Sequence, residues 1–246
     1  MNLKCSIFIF LIPVFIFSQE NLILEDSIPN NSKFIEDYSN QLNIKFDVTN
    51  DRVSYFIPFE TSQAEIRSNL NISYGLVFSY KFLSVRLGMR PKLSENELKN
   101  KGKTDRFRLR VKFLFDNWTH RLEYNYTRGF YIENTSEFEN DIKNSNFKVQ
   151  FPYLRTNMLS GSSNYKFNGN YSMKALESNT EIQLKSTGTF LAGFNYAFYF
   201  VNGTDRIKLE NQELLQRTSY NDFSGFSPVF YIGYHYTLVF HNYWYL

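Results

Sequence analysis

Residues 106–126 constrain the fold more than any other stretch, because two alternating patterns meet there across a two-residue turn. In each half, apolar and polar residues alternate, which indicates a β-strand with one apolar and one polar face. Asp116 and Asn117 separate the halves and are typical of a hairpin turn. The folded hairpin is predicted to set Val111 opposite Leu122, Leu109 opposite Tyr124 and Arg110 opposite Glu123.

The same alternation recurs along most of the chain. It is strongest at 42–48, 70–80, 83–89, 190–200 and 230–240. The 18 Tyr and 26 Phe residues also favour sheet, because aromatic side chains fit pleated surfaces. Past residue 18 no run of about 20 apolar residues occurs, which excludes a bundle of membrane-spanning helices but not a membrane barrel. A net charge of +3 gives no indication of a nucleic-acid partner.

The first 18 residues have the pattern of a cleavable secretory signal peptide. Lys4 supplies the positive charge, and residues 6–17 form an apolar core too short to span a bilayer. The only cysteine, Cys5, precedes this core, so the mature chain is predicted to have no disulfide and no thiolate site. We predict a flexible segment at 19–40 and a β-barrel domain at 41–246.

Turn signals set the predicted topology. Two-residue turns at 81–82, 116–117, 168–169, 202–203 and 241–242 alternate with longer loops, as in outer-membrane barrels. This pattern predicts strands at 155–167 and 170–178, and the Asn-Gly turn at 202–203 is predicted to set Phe198 opposite Ile207. The parity of apolar residues switches near Asn50, which favours one bulged strand over 42–58.

Two points of the topology stay open at this stage. A separate hairpin at residues 50–51, pairing Phe46 with Tyr55, is the alternative to the bulge. The count gives ten strands plus a four-residue stub at 243–246, so the chain is either a ten-strand barrel or a twelve-strand barrel truncated after Leu246. Either form is an all-β, antiparallel, up-and-down transmembrane β-barrel of 10–12 strands.

Several blocks of sequence, in order, resemble an uncharacterised family of exported proteins from Gram-negative bacteria, a domain of unknown function. The blocks are YSNQLNIKF (38–46), ISYGLVFSYKFLSVRLGM (72–89), KGKTDRFRLRVKFLF (101–115), YNYTRGFYIEN (124–134), FPYLRTNMLSGSSNYKFN (151–168) and LKSTGTFLAGFNYAFYF (184–200). The resemblance implies an outer-membrane barrel and supports truncation after Leu246, but it implies no activity. Outer-membrane lipids and the barrel-assembly machinery are the partners expected for such a protein.

The polar faces of the strands suggest a site. If the apolar face meets lipid, a basic cluster faces the lumen with Glu123 as its counter-charge; its members are Arg86, Arg106, Arg108, Arg110, Lys112 and Arg121. Such a lumen favours a small anionic solute. The alternative is a filled interior in which these groups pair with one another and brace the wall. Aromatic girdles are predicted near the strand ends, from Trp118, Tyr126, Phe130, Tyr131 and Trp244.

No motif predicts catalysis, a metal site or a cofactor. The three histidines, 120, 235 and 241, lack any local motif that would link them to a serine and an acidic partner. We therefore expect a non-enzymatic barrel, either a narrow or plugged channel or a structural surface barrel. An outer-membrane lipid-modifying enzyme, with a Ser and a His in contact at one rim, and a soluble lipid-binding β-barrel with an apolar interior are the alternatives.

Overall fold

A computed structural model describes residues 34–50, 54–58, 63–70, 72–137, 146–203, 222–240 and 244–245. The predicted signal peptide at 1–18 lies outside the described residues. The elements in chain order are β1 (Ile35–Asp37), β2 (Asn43–Asn50), β3 (Ser54–Pro58), β4 (Gln63–Arg67), β5 (Ile72–Tyr80), β6 (Leu83–Met89), α1 (Glu95–Lys101), β7 (Asp105–Leu114), β8 (Trp118–Ile132), β9 (Gln150–Lys166), α2 (Met173–Glu177), β10 (Glu181–Gln183), β11 (Thr187–Asn202), β12 (Phe223–Thr237), β13 (Val239–Phe240) and β14 (Trp244–Tyr245). Neither described helix is long and apolar enough to cross a membrane.

Eight strands form one antiparallel ladder in the order β2-β5-β6-β7-β8-β9-β11-β12. The prediction of an antiparallel all-β fold is therefore confirmed. The register predicted for the 106–126 hairpin is also confirmed, with Val111 opposite Leu122 and Arg110 opposite Glu123. Alternation sets the register correctly because a slip of one residue would exchange the two faces. Within the described residues, β2 and β12 are the two edges of the ladder.

The ladder has two chemically distinct faces. One row of directly paired residues crosses all eight strands and is apolar throughout: Phe46, Leu76, Leu87, Leu109, Tyr124, Leu159, Phe198 and Phe226. The next row on the opposite face includes Arg86, Arg110, Glu123 and Ser160. We call these the apolar face and the polar face. The apolar face is the more exposed of the two, which reverses the usual arrangement in a soluble protein.

At the end of the ladder with the short turns, the connection between β9 and β11 is long and structured. We call residues 167–186 the cap segment; it contains α2 and β10, and β10 pairs with β1. The cap segment contacts both edge strands. Asn43 Nδ2 of β2 donates to the Asn179 carbonyl over 3.2 Å, and Thr237 Oγ1 of β12 donates to the Tyr171 hydroxyl over 3.4 Å.

The other end of the ladder carries the longer connections and a small apolar core. Strand β8 extends past the residues that pair with β7, and there the β3–β4 hairpin pairs with it, with Ile66 of β4 opposite Ile132. The core beneath it consists of Ala64, Ile66, Phe130, Ile132, Phe151, Leu154 and Val201. Helix α1 lies in the β6–β7 connection and begins at a capping box formed by Ser94 and Glu97.

Two predictions at the first strands are wrong. Residues 42–58 are not one bulged strand, because β2 pairs with β5 while β3 pairs with β4. The alternative hairpin is wrong too, since Phe46 lies opposite Leu76 and Tyr55 lies opposite Ile66. The segment predicted to be flexible, 19–40, contains strand β1, and the part of it before residue 34 lies outside the described residues.

The predicted strand at 170–178 and the hairpin at 202–203 are also wrong. Residues 173–177 form α2, which begins where the Ser172 hydroxyl accepts a hydrogen bond from the Ala175 amide over 2.8 Å. Strand β11 runs to Asn202, and Phe198 lies between Phe226 and Leu159; the predicted partner, Ile207, lies outside the described residues. Within the described residues the ladder has eight strands where the sequence predicts ten, and short turns do not alternate strictly with long loops.

Candidate functional site

The predicted basic residues lie together on the polar face because register places them in adjacent rows. Arg86 is directly opposite Arg110, which is opposite Glu123, and Lys112 is opposite Arg121. Arg106 and Arg108 lie on the same strand, four and two residues before Arg110. Like charges in neighbouring positions repel each other unless counter-charges separate them. Three carboxylates meet this cluster: those of Asp47 and Glu123 on the polar face, and that of Glu177 from the cap segment.

Glu123 holds two of the arginines. Its Oε1 accepts from Arg108 Nε and its Oε2 accepts from Arg110 Nε, each over 2.6 Å. Only 7% of Glu123 is exposed, so the carboxylate sits in a place where an unpaired charge would be costly. The predicted role of Glu123 as a counter-charge fits this geometry, with one carboxylate bracing β7 against β8.

Asp47 of β2 pairs with Arg86 of β6 across the intervening strand β5. Arg86 Nε donates to Asp47 Oδ2 over 2.9 Å, and Arg86 Nη2 donates to Oδ1 over 2.6 Å. Arg86 is only 4% exposed. The pair passes directly over Gly75, where an added Cβ would lie 2.3 Å from Asp47 Oδ1. The absence of a side chain at Gly75 is therefore what lets β2 and β6 be bridged.

Glu177 comes from the cap segment and holds the remaining pair of cations. Its carboxylate accepts from Arg121 Nη2 over 2.8 and 3.0 Å and also pairs with the Lys112 ammonium. Lys112 Nζ donates in addition to the Glu177 carbonyl over 3.1 Å. Burial raises the pKa of Glu177, but the charges of Lys112 and Arg121 outweigh it, and the net pKa lies below the ordinary value.

Among the residues described, the predicted cluster supplies six cations and the partners just named supply three carboxylates. Five of these cations pair with the carboxylates, and Arg106 donates to Asn125 Oδ1 over 3.3 Å. The sequence does not reveal Asp47 and Glu177 as partners, because they lie 39 and 56 residues from Arg86 and Arg121. No group of three or more His, Cys, Asp or Glu side chains suited to a metal ion occurs within the described residues.

A row of aromatic side chains in mutual contact lies on the apolar face at the turn end. We call it the aromatic belt; it consists of Phe82, Phe115, Trp118, His120, Tyr165 and Phe167. Trp118, predicted as a girdle residue, stacks on His120 at 5.7 Å and contacts Tyr165 at 5.0 Å between ring centroids. Tyr126 lies on the same face of β8, eight residues from Trp118 toward the loop end. The side chain of Trp244 lies outside the described residues.

Phe130 and Tyr131 do not belong to a surface girdle. They are 2% and 5% exposed, and Phe130 packs in the small core at the loop end. The β3–β4 hairpin covers this part of β8, since Ile66 of β4 pairs with Ile132 and packs in the same core. The register of β8 with β9 also shifts between Arg128 and Phe130, which marks a bulge. Gly129 within the bulge has φ +89°, a conformation that glycine adopts without strain.

The belt also contains the serine–histidine contact that the sequence alone does not reveal. His120 Nδ1 and Ser163 Oγ are 2.9 Å apart, on neighbouring strands β8 and β9. Their direct cross-strand pairing is visible only once the register is known. In the described part of the chain, no carboxylate or amide side chain is seen to orient the imidazole ring.

Comparison with known proteins gives a family but no function. The chain matches a family described as Domain of unknown function (DUF4421) over residues 25–246. No curated protein and no solved structure matches this chain. The match spans nearly the whole chain and agrees with the resemblance seen in the sequence blocks. The chain belongs to the DUF4421 family.

Proposed function

We propose that this protein is an exported, outer-membrane β-barrel whose interior is the polar face, filled by ion pairs and closed at the turn end by the cap segment. The observation that carries the proposal is the reversed burial of the two faces. Phe230 and Ile232 of β12 are 80% and 83% exposed, whereas Arg86 and Glu123 are nearly inaccessible. Hydrocarbon around the sheet accounts for this reversal, because lipid accepts apolar side chains and excludes charges.

A soluble barrel that binds lipid inside accounts for the same face less well. Its interior would have to be apolar, but the polar face is the enclosed one here. A soluble protein would also expose an apolar surface that crosses all eight strands, and contiguous patches of that extent mark a surface that meets something other than water.

Closure of the ladder is supported by the cap segment. This segment of twenty residues contacts β2 through Asn179 and β12 through Tyr171, so both edges of the ladder lie beside the same short segment. A membrane barrel must close, because an open edge in hydrocarbon leaves backbone donors and acceptors unsatisfied. Strands β7, β8, β9, β11 and β12 have 10 to 17 residues, enough for the roughly 9–11 that a tilted spanning strand needs.

The interior favours a plugged barrel over an open pore. Polar side chains occupy the enclosed face: Tyr231 of β12 donates to Asn164 of β9 past Gly193 of the intervening strand β11, and Lys45 of β2 donates to Asn179 of the cap segment over 3.4 Å. Interiors of small barrels are normally filled in this way. The excess of positive charge makes a small anion the solute that such an interior would accept if it opened.

The proposal is tested by expressing the chain with its own leader in a Gram-negative host. We expect the protein in the outer-membrane fraction, dependent on the barrel-assembly machinery, and we expect unboiled samples to migrate as a compact species that heating unfolds. In planar bilayers the purified barrel should insert without conductance steps. Recovery of the folded protein in the soluble periplasmic fraction would contradict the proposal.

A lipid-modifying enzyme is a second candidate because of the contact between His120 and Ser163. The pair lies on the apolar face within the aromatic belt, where an ester bond of a membrane lipid could reach it. In such a reaction Ser163 Oγ would attack the acyl carbonyl while His120 took its proton, and the ester C–O bond would break as His120 gave that proton to the departing alcohol. Water would then hydrolyse the acyl-Ser163 ester and release the fatty acid. Release of fatty acid from phospholipid vesicles, abolished by Ser163→Ala and retained in Ser160→Ala, would establish this activity. No release from vesicles that contain the folded protein would dismiss it.

A further inference from the structure

Charged contacts connect the cap segment to the wall of the ladder, in addition to the buried packing of Met173 of α2. Glu177 binds Lys112 of β7 and Arg121 of β8. Lys174 pairs with Asp116 in the β7–β8 turn at 3.3 Å and with Glu181 in its own segment at 3.1 Å. Glu177 is the acidic residue of α2, and its carboxylate lies against the basic cluster.

The N-terminal strand holds the cap segment from the other side. Strand β1 pairs with β10, the Tyr38 amide donates to the Thr180 carbonyl over 2.9 Å, and the Leu184 amide donates to the Phe34 carbonyl over 2.7 Å. The pairing with β1 keeps the cap segment near the turn end even when its contacts with β7 and β8 break. Movement of α2 away from β7 and β8 therefore requires the loss of the Glu177 contact but not the unfolding of the ladder.

We infer that Glu177 is a latch that holds the cap segment across the turn end of the interior, and that its release opens an anion-selective path. This inference rests on the proposed membrane barrel and names how that barrel is regulated. Release leaves Lys112 and Arg121 without their counter-charge at the mouth of the path. The lining then carries those two cations beside Arg110, which lies two residues from Lys112 on the same face of β7. Chloride should pass more readily than potassium because cations lining a pore attract anions.

The test is planar-bilayer recording of four forms of the full mature chain, each first shown to be folded by heat-modifiable migration. Wild type should insert and stay silent. Glu177→Lys, which places a cation against two others, should give channel steps whose reversal potential shifts toward the chloride equilibrium potential. Adding Arg121→Glu to that variant restores an ion pair and should silence it again. Glu36→Lys makes the same charge change at an exposed residue of β1 and should stay silent.

The outcomes separate the latch from the proposed barrel. A folded, inserted Glu177→Lys that stays silent, or a wild type that already conducts, overturns the latch and leaves the barrel standing. Failure of every form to insert overturns the barrel itself. If Glu177→Lys does not fold, Glu177→Ala replaces it, since it removes the carboxylate without adding charge; it should give the same channels, and silence of the folded variant overturns the latch.

Discussion

Gly75 is the residue on which the bridge between β2 and β6 depends. Asp47 and Arg86 pass so close to its Cα that an added Cβ would lie 2.3 Å from Asp47 Oδ1 and 2.5 Å from Arg86 Nη2. Both contacts are far below van der Waals distance, so the ion pair has to move when any side chain is introduced. Arg86 would then stay buried without a well-placed carboxylate partner, and a buried charge that lacks its partner destabilises the folded protein.

Gly75→Ala is therefore expected to destabilise the folded protein by about 3 kcal/mol, the lower end of what breaking a buried ion pair costs. The measurement is the urea unfolding midpoint in lipid vesicles. Gly233→Ala is the matched control, because it faces the same side on β12 and an added Cβ there meets nothing within 4 Å. Equal midpoints for the two variants would show that the Asp47–Arg86 bridge adds nothing to stability.

Ile232 provides the sharpest single-residue test of where the apolar face lies. It is 83% exposed, so in a water-soluble sheet an arginine there should change stability by no more than about 0.5 kcal/mol. In a bilayer the same change places a charge near the hydrocarbon centre and should cost about 2–4 kcal/mol.

Val229 supplies the control for that substitution. It is 50% exposed and lies on the polar face of the same strand, so Val229→Arg should cost much less than Ile232→Arg in lipid vesicles. Unfolding midpoints that are the same for both variants would argue against a lipid-facing apolar surface.

Among the elements, the hairpin β7–β8 follows from the sequence and the cap segment does not. Eight residues of β7, 106–113, alternate without exception, and that local pattern fixes both the strand and its register. In the cap segment, Tyr171, Met173 and Ala175 also alternate, which mimics a strand. Helix α2 has only five residues, too few to display a helical period, and the Ser172 cap is its one local signal.

The same contrast explains what was predictable about the polar face. The cations lie in alternating positions on β6, β7 and β8, so the sequence reveals them as a cluster and Glu123 of β8 as a counter-charge. The other two counter-charges come from β2 and from the cap segment, and no local pattern links these to β6, β7 or β8. The hairpin predicted from Asn-Gly at 202–203 is wrong for a related reason. A turn signal is local and does not indicate the distant strand with which β11 pairs.

The cap segment should respond to acid through Glu177. The pKa of this carboxyl lies below its ordinary value of 4.5, so its ion pairs contribute fully above pH 4.5 and are lost as the pH falls through the lowered pKa. The charged and titratable groups that face it are Lys112 on β7, Arg121 on β8 and Tyr231 on β12. We therefore expect the wild-type barrel to stay silent from pH 7 to 5 and to begin conducting only below pH 4.5.

Glu177→Gln tests whether Glu177, rather than another acidic residue of the interior, controls the response to pH. The amide imitates the protonated form, so this variant should show at neutral pH the conductance that wild type shows only in acid. A wild type that opens between pH 7 and 5, or a variant that remains silent at neutral pH, would contradict the assignment to Glu177.

For the molecule as a whole, the proposed barrel assigns different functions to the two faces and the two ends of the ladder. In that proposal the apolar face and its aromatic belt hold the ladder in the membrane, and the polar face lines the charged interior. The turn end bears the cap segment and its latch, while the loop end carries the β3–β4 hairpin over a small apolar core. Stability and conductance should therefore respond to different residues, with Ile232 and Gly75 controlling the former and Glu177 the latter.

Spin labels along β12 test the outward orientation of the apolar face most directly, because Cys5 in the predicted leader is the only native cysteine. Single cysteines from 228 to 234 would be labelled in lipid vesicles and compared for collision with oxygen, which concentrates in hydrocarbon, and with a water-soluble nickel chelate. The account predicts that even-numbered positions favour oxygen and odd-numbered positions do not. Nickel collisions that are highest at 230 and 232 would contradict it.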